Sequence, residues 1–306
     1  MNILSEIIRG IWMIDPVEAE SYYPLVHKIL SGQFDPNGPP PKSLPDQMPG
    51  QSSIFGGASP SIVDANILYH DPESIPDNSL FVVNIAGPIT KYSQLCGPSG
   101  TSVKSQWLTD ADNHPGISAH LLRIDSGGGE AHGAYQMAKL IGSLSKPVFG
   151  FVDGIAASAA YLIASQCDYI VCSTKMDRVG SIGTFVTIAD FRQYYKRRGI
   201  DIHHVYAQMS TEKNKDYLAA LDGDTSKIQE IVDKYNDLLL EAVSEARSHY
   251  LTSDSWQTGK MFFAPEAVSQ GLIDDILPFD QFLMSLLREI KHIEKPSVSR
   301  LKNPRV

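Results

Sequence analysis

Short apolar runs alternate with stretches of helical periodicity from about residue 78 onward. The runs are rich in aliphatic residues and predict buried strands: LFVVNIAG (80–87), AHLLRID (119–125), PVFGFVD (147–153), DYIVC (168–172) and IDIHHVYA (200–207). Strands separated by helical segments are typical of βα units with a parallel sheet. The pattern therefore predicts the α/β fold class.

Helical periodicity is clearest in four segments, at 131–144, 158–166, 189–198 and about 224–249. A final unit, APEAVSQGLIDDIL (264–277), predicts a helix that ends at Gly271 and is followed by a strand. The helices thus fall between the predicted strands or after them, as βα units require.

The N-terminal part of the chain has a different pattern. Apolar residues recur at helical spacing between Leu4 and Ile11, which predicts one or two short helices before residue 33. Residues 33–60 are crowded with Pro, Gly and Ser and predict an irregular arm. The predicted divisions are an N-terminal helical segment with a Pro/Gly-rich arm (1–77), a main domain (78–280) and a C-terminal tail (281–306).

Composition argues against several classes of function. A formal net charge of −9 argues against nucleic-acid binding, which needs a concentrated basic surface. Cys96, Cys167 and Cys172 show no CxxC or Cys/His ligand spacing. The sequence as a whole implies no metal and no organic cofactor. The odd number of cysteines favours a reducing, cytoplasmic compartment. No stretch approaches the roughly 20 apolar residues of a membrane span, which predicts a soluble protein.

The first segment with candidate chemistry is IDSGGGEAHG, where a predicted strand ends at Asp125 and enters Gly127, Gly128 and Gly129. Backbone without Cβ atoms can approach a ligand closely and point its N–H groups at an anion, as an oxyanion hole requires. A tight turn is the plainer interpretation of the same glycines. A dinucleotide loop fits poorly, because the GxGxxG spacing is absent.

The second segment is VDGIAASAAYLIA, in which Ser158 opens a helix of small residues. A serine in the first turn lies beside the positive end of the helix dipole and beside free N–H groups. An ordinary N-cap serine is the alternative. The alanines on both sides of Ser158 leave room for a substrate and for a second segment, such as the glycine turn.

Together these segments resemble peptidase family S49, the signal peptide peptidase A family, which includes phage prohead proteases. IDSGGG (124–129) is followed about 30 residues later by GIAASAAYLIA (154–164), and the likeness extends to VGSIGT (179–184) and SWQTGKMFFAPEAVSQGLIDD (255–275). The resemblance implies a serine endopeptidase with a ClpP/crotonase-like superhelix of ββα units, preceded by an N-terminal helical or irregular extension.

The resemblance also implies roles for individual residues. Ser158 occupies the position of the nucleophile, and the backbone N–H groups of Gly128 and Ala159 occupy those of the oxyanion hole. The chain departs from the family's loop at Gly127, where the family has proline.

The general base implied by the resemblance is a lysine in QMSTEKNKDYLAALDGD (208–224). Lys213 fits best and Lys215 is the alternative; without the resemblance, both would be solvated lysines on a polar loop. A lysine acts as a base only when neutral, so burial or nearby positive charge must lower its pKa. Ser181 is a candidate to orient the lysine, with a turn role as the alternative.

Other readings remain open. A histidine base is disfavoured because His203 and His204 lie in a predicted strand, not on a loop after the nucleophile helix, and His132 lies just after the glycine turn. A crotonase-type acyl-CoA hydratase or isomerase shares the glycine-turn oxyanion hole, since fold does not determine function. A catalytically inactive scaffold or assembly protein of the same fold is the third alternative.

The resemblance further implies a biological setting. We expect a phage-type capsid maturation protease or a cytoplasmic enzyme like signal peptide peptidase, acting on protein or peptide substrates that include capsid or scaffold proteins. Its location is then the host cytoplasm or an immature virion. We also expect a homo-oligomer, because family members assemble as rings with composite active sites.

Overall fold

The computed structural model describes residues 12–14, 61–93 and 97–292, with only the backbone described at 12–14 and 291–292. Eight strands form one sheet in the order β10–β7–β6–β4–β3–β2, with β8 beside β6 and β9 beside β8. The strands are β1 (Trp12–Ile14), β2 (Ile62–Val63), β3 (Ser79–Ala86), β4 (Ile117–Ser126), β5 (Gly128–Glu130), β6 (Val148–Ala157), β7 (Tyr169–Cys172), β8 (Arg178–Gly180), β9 (Met261–Phe263) and β10 (Asp275–Ile276).

The helices lie between these strands along the chain. They are α1 (Ala65–His70), α2 (Thr101–Asn113), α3 (Ala131–Ile141), α4 (Ala159–Ser165), α5 (Arg192–Arg197), α6 (Lys215–Leu221), α7 (Ser226–Arg247), α8 (Ala264–Gln270) and α9 (Phe279–His292). None of the helices in the described ranges is both long enough and apolar enough to cross a membrane.

The sheet is mainly parallel and carries a core on each face. All pairings from β10 to β2 are parallel, and only β9 runs antiparallel, to β8. Phe81 and Val83 of β3 pack into the larger core, whereas Leu80 and Val82 pack into the smaller one, because alternate residues of a strand face opposite sides. Helices α2, α3 and α4 cover the larger core. Helix α9 covers the smaller one.

The predicted α/β class is confirmed, as are four of the five predicted strands and the main helices. A mainly parallel sheet with a glycine turn and a serine-led helix at the ends of its strands agrees with what the resemblance implied, while the ClpP/crotonase-like superhelix of ββα units stays a prediction. The predicted strand at 200–207 is wrong: this segment forms no strand, and Ile200, Ile202 and Val205 are exposed. Its alternating apolar residues have no neighbouring strand in the described chain with which to pair.

Both ends of the main domain differ from the predicted divisions. Strand β2 pairs with β3, so the sheet already includes residue 62. Helix α9 continues to residue 292, and its Phe282, Leu286 and Ile290 are buried. These residues are therefore part of the core rather than a tail. Of the predicted N-terminal helical segment, residues 12–14 form a strand because β5 offers them backbone partners; the rest of residues 1–33 lies outside the described residues.

A buried histidine–aspartate pair supports the middle of β4. His120 Nε2 lies 3.1 Å from Asp112 Oδ1, and the Asp112 carboxylate also accepts hydrogen bonds from the backbone N–H groups of Ser145 and Lys146. Burial by itself would raise the pKa of Asp112, but the hydrogen bonds from His120, Ser145 and Lys146 outweigh it and hold the pKa below its usual range. Burial lowers the pKa of His120, and this effect is larger than the opposite effect of its hydrogen bond to Asp112. His120 Nδ1 has no partner among the described residues, which also favours the neutral ring.

We expect the free energy of unfolding to fall as the pH is lowered from 7 to 5. The unfolded chain takes up a proton on His120 near its ordinary pKa, whereas the folded chain resists it, so stability is lost below that pKa. Urea unfolding at several pH values should show a flatter pH dependence in His120→Gln than in His70→Gln, which changes an exposed histidine. Equal slopes in the two variants would contradict this assignment.

Candidate active site

The glycine turn that follows β4 is held against residues 87–91. Ile89 N–H donates to the carbonyl oxygen of Gly128 (2.8 Å), and Glu130 N–H donates to the carbonyl oxygen of Ile89 (2.8 Å). The Ser126 hydroxyl donates to the carbonyl oxygen of Gly87 (2.5 Å) and accepts from Gly128 N–H (3.1 Å). Residues 128–130 of the glycine turn therefore form the short strand β5, and one edge of this strand is paired with Ile89.

Gly129 is required at its position for steric reasons. A Cβ atom there would lie 2.0 Å from the carbonyl oxygen of Ile89, and its φ of +157° is a conformation that L side chains rarely adopt. The backbone at Gly129 and the backbone at Ile89 therefore lie close together. The run of glycines in the sequence suggested such an approach but not its partner.

Ser158 lies where β6 ends and α4 begins, in a strained backbone conformation with φ 53° and ψ −116°. Its N–H donates to the carbonyl oxygen of Gly180 (2.8 Å), and its Oγ donates to the carbonyl oxygen of Gly183 (3.2 Å). The residue is 1% exposed, between the fully buried Ala157 and Ala159. Such strain persists only where the surroundings enforce it, and it occurs often at catalytic residues.

A bend in β6 brings Ser158 to this position. Asp125 Oδ1 accepts a hydrogen bond from Ile155 N–H (3.2 Å), and Gly154 has a φ of +119°. Before the bend, β6 pairs with β7; after it, residues 155–157 pair with β8. Asp125, which belongs to the segment of the glycine turn, thus stabilises the bend in the segment that carries Ser158.

The segment VGSIGT (179–184) forms the wall beside Ser158. Gly180 pairs with Ala157, so Ser181 follows directly next to Ser158. Ser181 is buried, has a φ of 48° and donates its N–H to the carbonyl oxygen of Lys260 (2.9 Å). The structure therefore brings Ser181 to the site, as the sequence suggested, while its orienting role stays a prediction.

The glycine turn and Ser158 meet at one edge of the sheet. Ser126 pairs with Ala156, and α4 lies against β5. Of the two predicted oxyanion donors, Gly128 N–H is occupied by Ser126 Oγ. Ala159 is the first residue of α4, where backbone N–H groups have no partner within the helix. The donor assignment stays a prediction.

The two candidate lysines lie in a different environment. Lys213 is exposed in a turn, and its N–H donates to the carbonyl oxygen of Ser210 (3.3 Å). Lys215 begins α6, and its Nζ lies 3.2 Å from a Glu212 carboxylate oxygen. Neither lysine hydrogen-bonds to Ser158 among the described residues. A lysine base needs burial, which this chain alone does not give to either of them; their assignment stays a prediction.

The histidines considered as alternatives are also exposed. His203 and His204 lie on the unpaired segment 200–207, where the His204 ring stacks with Tyr206. His132 is exposed at the start of α3. In the described structure none of the three hydrogen-bonds to Ser158.

Two contacts were not foreseen from the sequence. Ile89 pairs with the glycine turn, and Gly183 accepts the hydrogen bond of the nucleophile candidate. The Gly87–Pro88 pair directly after β3 signals a chain turn, but no local signal shows which backbone segment that turn contacts.

Substitution of Gly129 by alanine should destabilise the protein far more than substitution of Gly87. Both glycines have positive φ, but a Cβ at Gly87 meets nothing within 4 Å. We expect a loss of about 1 kcal/mol for Gly87→Ala and at least about 3 kcal/mol for Gly129→Ala. Denaturant unfolding measures both. Similar losses would show that Ile89 moves away at little cost.

Comparison of the sequence with a family model and with known proteins finds peptidases. Residues 142–292 match the family model described as "Peptidase family S49". The chain is 28% identical to Protease 4 of Haemophilus influenzae over 246 residues, covering 75% of this chain and 39% of that protein. It is 22% identical to Capsid assembly protease C of Escherichia phage lambda over 209 residues, covering 65% of this chain and 47% of that protein. The chain thus spans less than half the length of both relatives.

Among solved structures, the chain is similar to a mutant of the 1510-N membrane-bound stomatin-specific protease in complex with a substrate peptide. The TM-score is 0.39 at 15% identity, over 68% of this chain and 80% of that one.

Proposed function

We propose that the chain is a serine endopeptidase of family S49, the family whose model matches residues 142–292, in which Ser158 attacks the peptide carbonyl and Lys213 accepts the serine proton. The observation that carries the proposal is the strained, buried Ser158 beside the glycine turn. No ordinary N-cap serine needs a left-handed backbone, and α4 receives no side-chain cap from it.

The proposed reaction uses the groups at this edge of the sheet. Neutral Lys213 removes the hydroxyl proton as Ser158 Oγ bonds to the substrate carbonyl carbon, and the carbonyl oxygen becomes an oxyanion. The N–H groups of Gly128 and Ala159 stabilise that oxyanion, with Gly128 exchanging its bond to Ser126 for one to the substrate. The lysinium then protonates the leaving amine, and water hydrolyses the acyl-enzyme. Ser181 orients the lysine.

The lysine must be brought to Ser158 and buried before this reaction can occur. The segment that precedes it exposes apolar side chains: Val205 is 94% exposed, Met209 93% and Ile202 54%. Large exposed apolar side chains grouped in one segment are typical of an interaction site. We infer that the chain forms a homo-oligomer in which this segment is covered and the lysine reaches a serine nucleophile.

For the biological role we propose cleavage of protein substrates, including capsid or scaffold proteins, in the host cytoplasm or an immature virion. The likeness to the phage lambda capsid assembly protease supports this setting. A catalytically inactive assembly protein is the second candidate, which the exposed lysines favour. A crotonase-type acyl-CoA enzyme has no such support, because the matched family is one of peptidases.

Alanine substitution should separate the proposed dyad from its neighbours. With an unfolded protein such as casein as substrate, we expect cleavage to fall at least about 1,000-fold in Ser158→Ala and Lys213→Ala, as for other nucleophiles and bases. Lys215→Ala should retain activity. Gel and intact-mass analysis measures cleavage.

Matched controls are Ser143→Ala and Lys227→Ala, which change exposed residues of the same types. Full activity of Ser158→Ala would refute the nucleophile. If cleavage is lost in Lys215→Ala but retained in Lys213→Ala, the base is Lys215. Folded, assembled wild type that cleaves no protein would favour the inactive assembly protein.

Charges placed on the exposed apolar segment should prevent assembly. We expect Val205→Asp with Met209→Asp to shift the chain to a smaller species in sedimentation and to abolish cleavage, because buried unpaired carboxylates cost several kcal/mol. Met176→Asp is the matched control, since Met176 is 81% exposed but lies outside this segment. An active enzyme with unchanged size would contradict the proposed interface.

A further inference from the structure

Strand β5 has two edges, and this chain occupies both of them. On one edge, Ile89 pairs with Gly129 in parallel orientation through the carbonyl oxygen of Gly128 and the N–H of Glu130. On the other edge lies β1, which pairs with β5 in antiparallel orientation and forms a separate two-stranded sheet with it. The second edge therefore carries a segment from the N-terminal part of the same chain.

The pairing of β1 involves the backbone groups of Gly129. Successive residues of a strand point their N–H and C=O groups to alternate edges. Since the C=O of Gly128 and the N–H of Glu130 bond to Ile89, the backbone groups of Gly129 point toward β1. The residue opposite Gly129 is Met13, so these two residues form the hydrogen-bonded pair of the ladder. The pairing uses backbone N–H and C=O groups, which every residue except proline carries.

β1 runs along β5 toward the end that leads to the candidate nucleophile, and a substrate peptide would run in the same direction. Trp12 lies opposite Glu130, and Ile14 lies opposite Gly128. The chain therefore advances along β5 toward Ser126, which pairs with Ala156, two residues before Ser158. An extended peptide with a carbonyl at Ser158 would need the same edge of β5 for its preceding residues.

We propose that Trp12–Ile14 is an internal pseudosubstrate that occupies the substrate edge of β5 and competes with peptides for it. This inference rests on the proposed function, because it takes that edge as the place where a substrate backbone lies. Since β1 belongs to the same chain, dilution does not weaken the competition. Its displacement, by substrate or by a partner protein, opens the site.

The strength of the competition determines the expected effect. If β1 is seated about nine-tenths of the time, the apparent Kd of a peptide for this edge is raised about tenfold. A substitution that prevents pairing without changing β5 should remove this factor. Proline at position 13 does so, because it has no N–H to donate to Gly129.

The test measures peptide binding in the full chain carrying Ser158→Ala, so that it does not depend on catalysis. The probe is a fluorescent peptide that repeats residues 9–18, RGIWMIDPVE. We expect Met13→Pro to lower its Kd about tenfold relative to Met13→Ala, which keeps the N–H. A probe with proline in the place of Met13 should not bind either protein, and circular dichroism verifies that both variants fold.

Equal affinity for the probe in the two variants, or no binding to either, would overturn the proposal. The same pair of variants with Ser158 intact separates the two inferences. A lower KM for casein in Met13→Pro than in Met13→Ala, at the same kcat, supports the pseudosubstrate. Cleavage with no difference in probe affinity or KM retains the peptidase and rejects the pseudosubstrate. A difference in probe affinity without any cleavage rejects the peptidase and leaves β1 as the cover of an edge that binds peptides.

Discussion

The bend of β6 at Gly154 is the constraint on which the rest of the site depends. Asp125 holds the bend by accepting the hydrogen bond of Ile155 N–H, and a side chain at Gly154 would collide with that carboxylate. Beyond the bend, β6 leaves β7 and pairs with β8. As a result, the strand that delivers Ser158 also lies beside the glycine turn and the segment 179–184. Three segments distant in sequence therefore meet at one carboxyl edge of a parallel sheet, where sites of open α/β folds commonly lie.

In the single chain, the proposed nucleophile is held in a fixed position, whereas the proposed lysine base is exposed. The nucleophile side is rigid, since Ser158, Ala157 and Ala159 are buried and Ser158 is held through backbone hydrogen bonds. The base side is exposed and is preceded by unpaired apolar residues. A dyad divided in this way would be inactive in a free chain, because a solvated lysine is a poor base. Assembly would then both bury the apolar surface and create the catalytic group.

Occupancy of the β5 edge would add a second level of control. An exposed strand edge is a template for any extended chain, and proteins usually cover such edges. Here the cover is the backbone of β1, which pairs with the strand that a peptide would use. Control by assembly acts on the base, whereas control by β1 acts on substrate access. The two act on different segments, because β1 pairs with the glycine turn and the lysines follow β8 in the chain.

Local pattern by itself determined the α/β class, most strands and helices, and the residues at the two turns, because hydrophobic period and glycine content depend only on neighbours in sequence. It also placed Ser158 and Ser181 at the candidate site through the resemblance of their motifs. It failed at 200–207, where alternation predicts a strand that finds no partner among the described residues. It also failed at residues 281–292, which were predicted as part of a tail although they belong to α9 and cover one face of the sheet. Only the tertiary structure decided the pairing of Ile89 and β1 with the glycine turn, the bend held by Asp125 and the exposure of Lys213. Those features depend on contacts between segments far apart in the chain, and such contacts leave no period in the sequence.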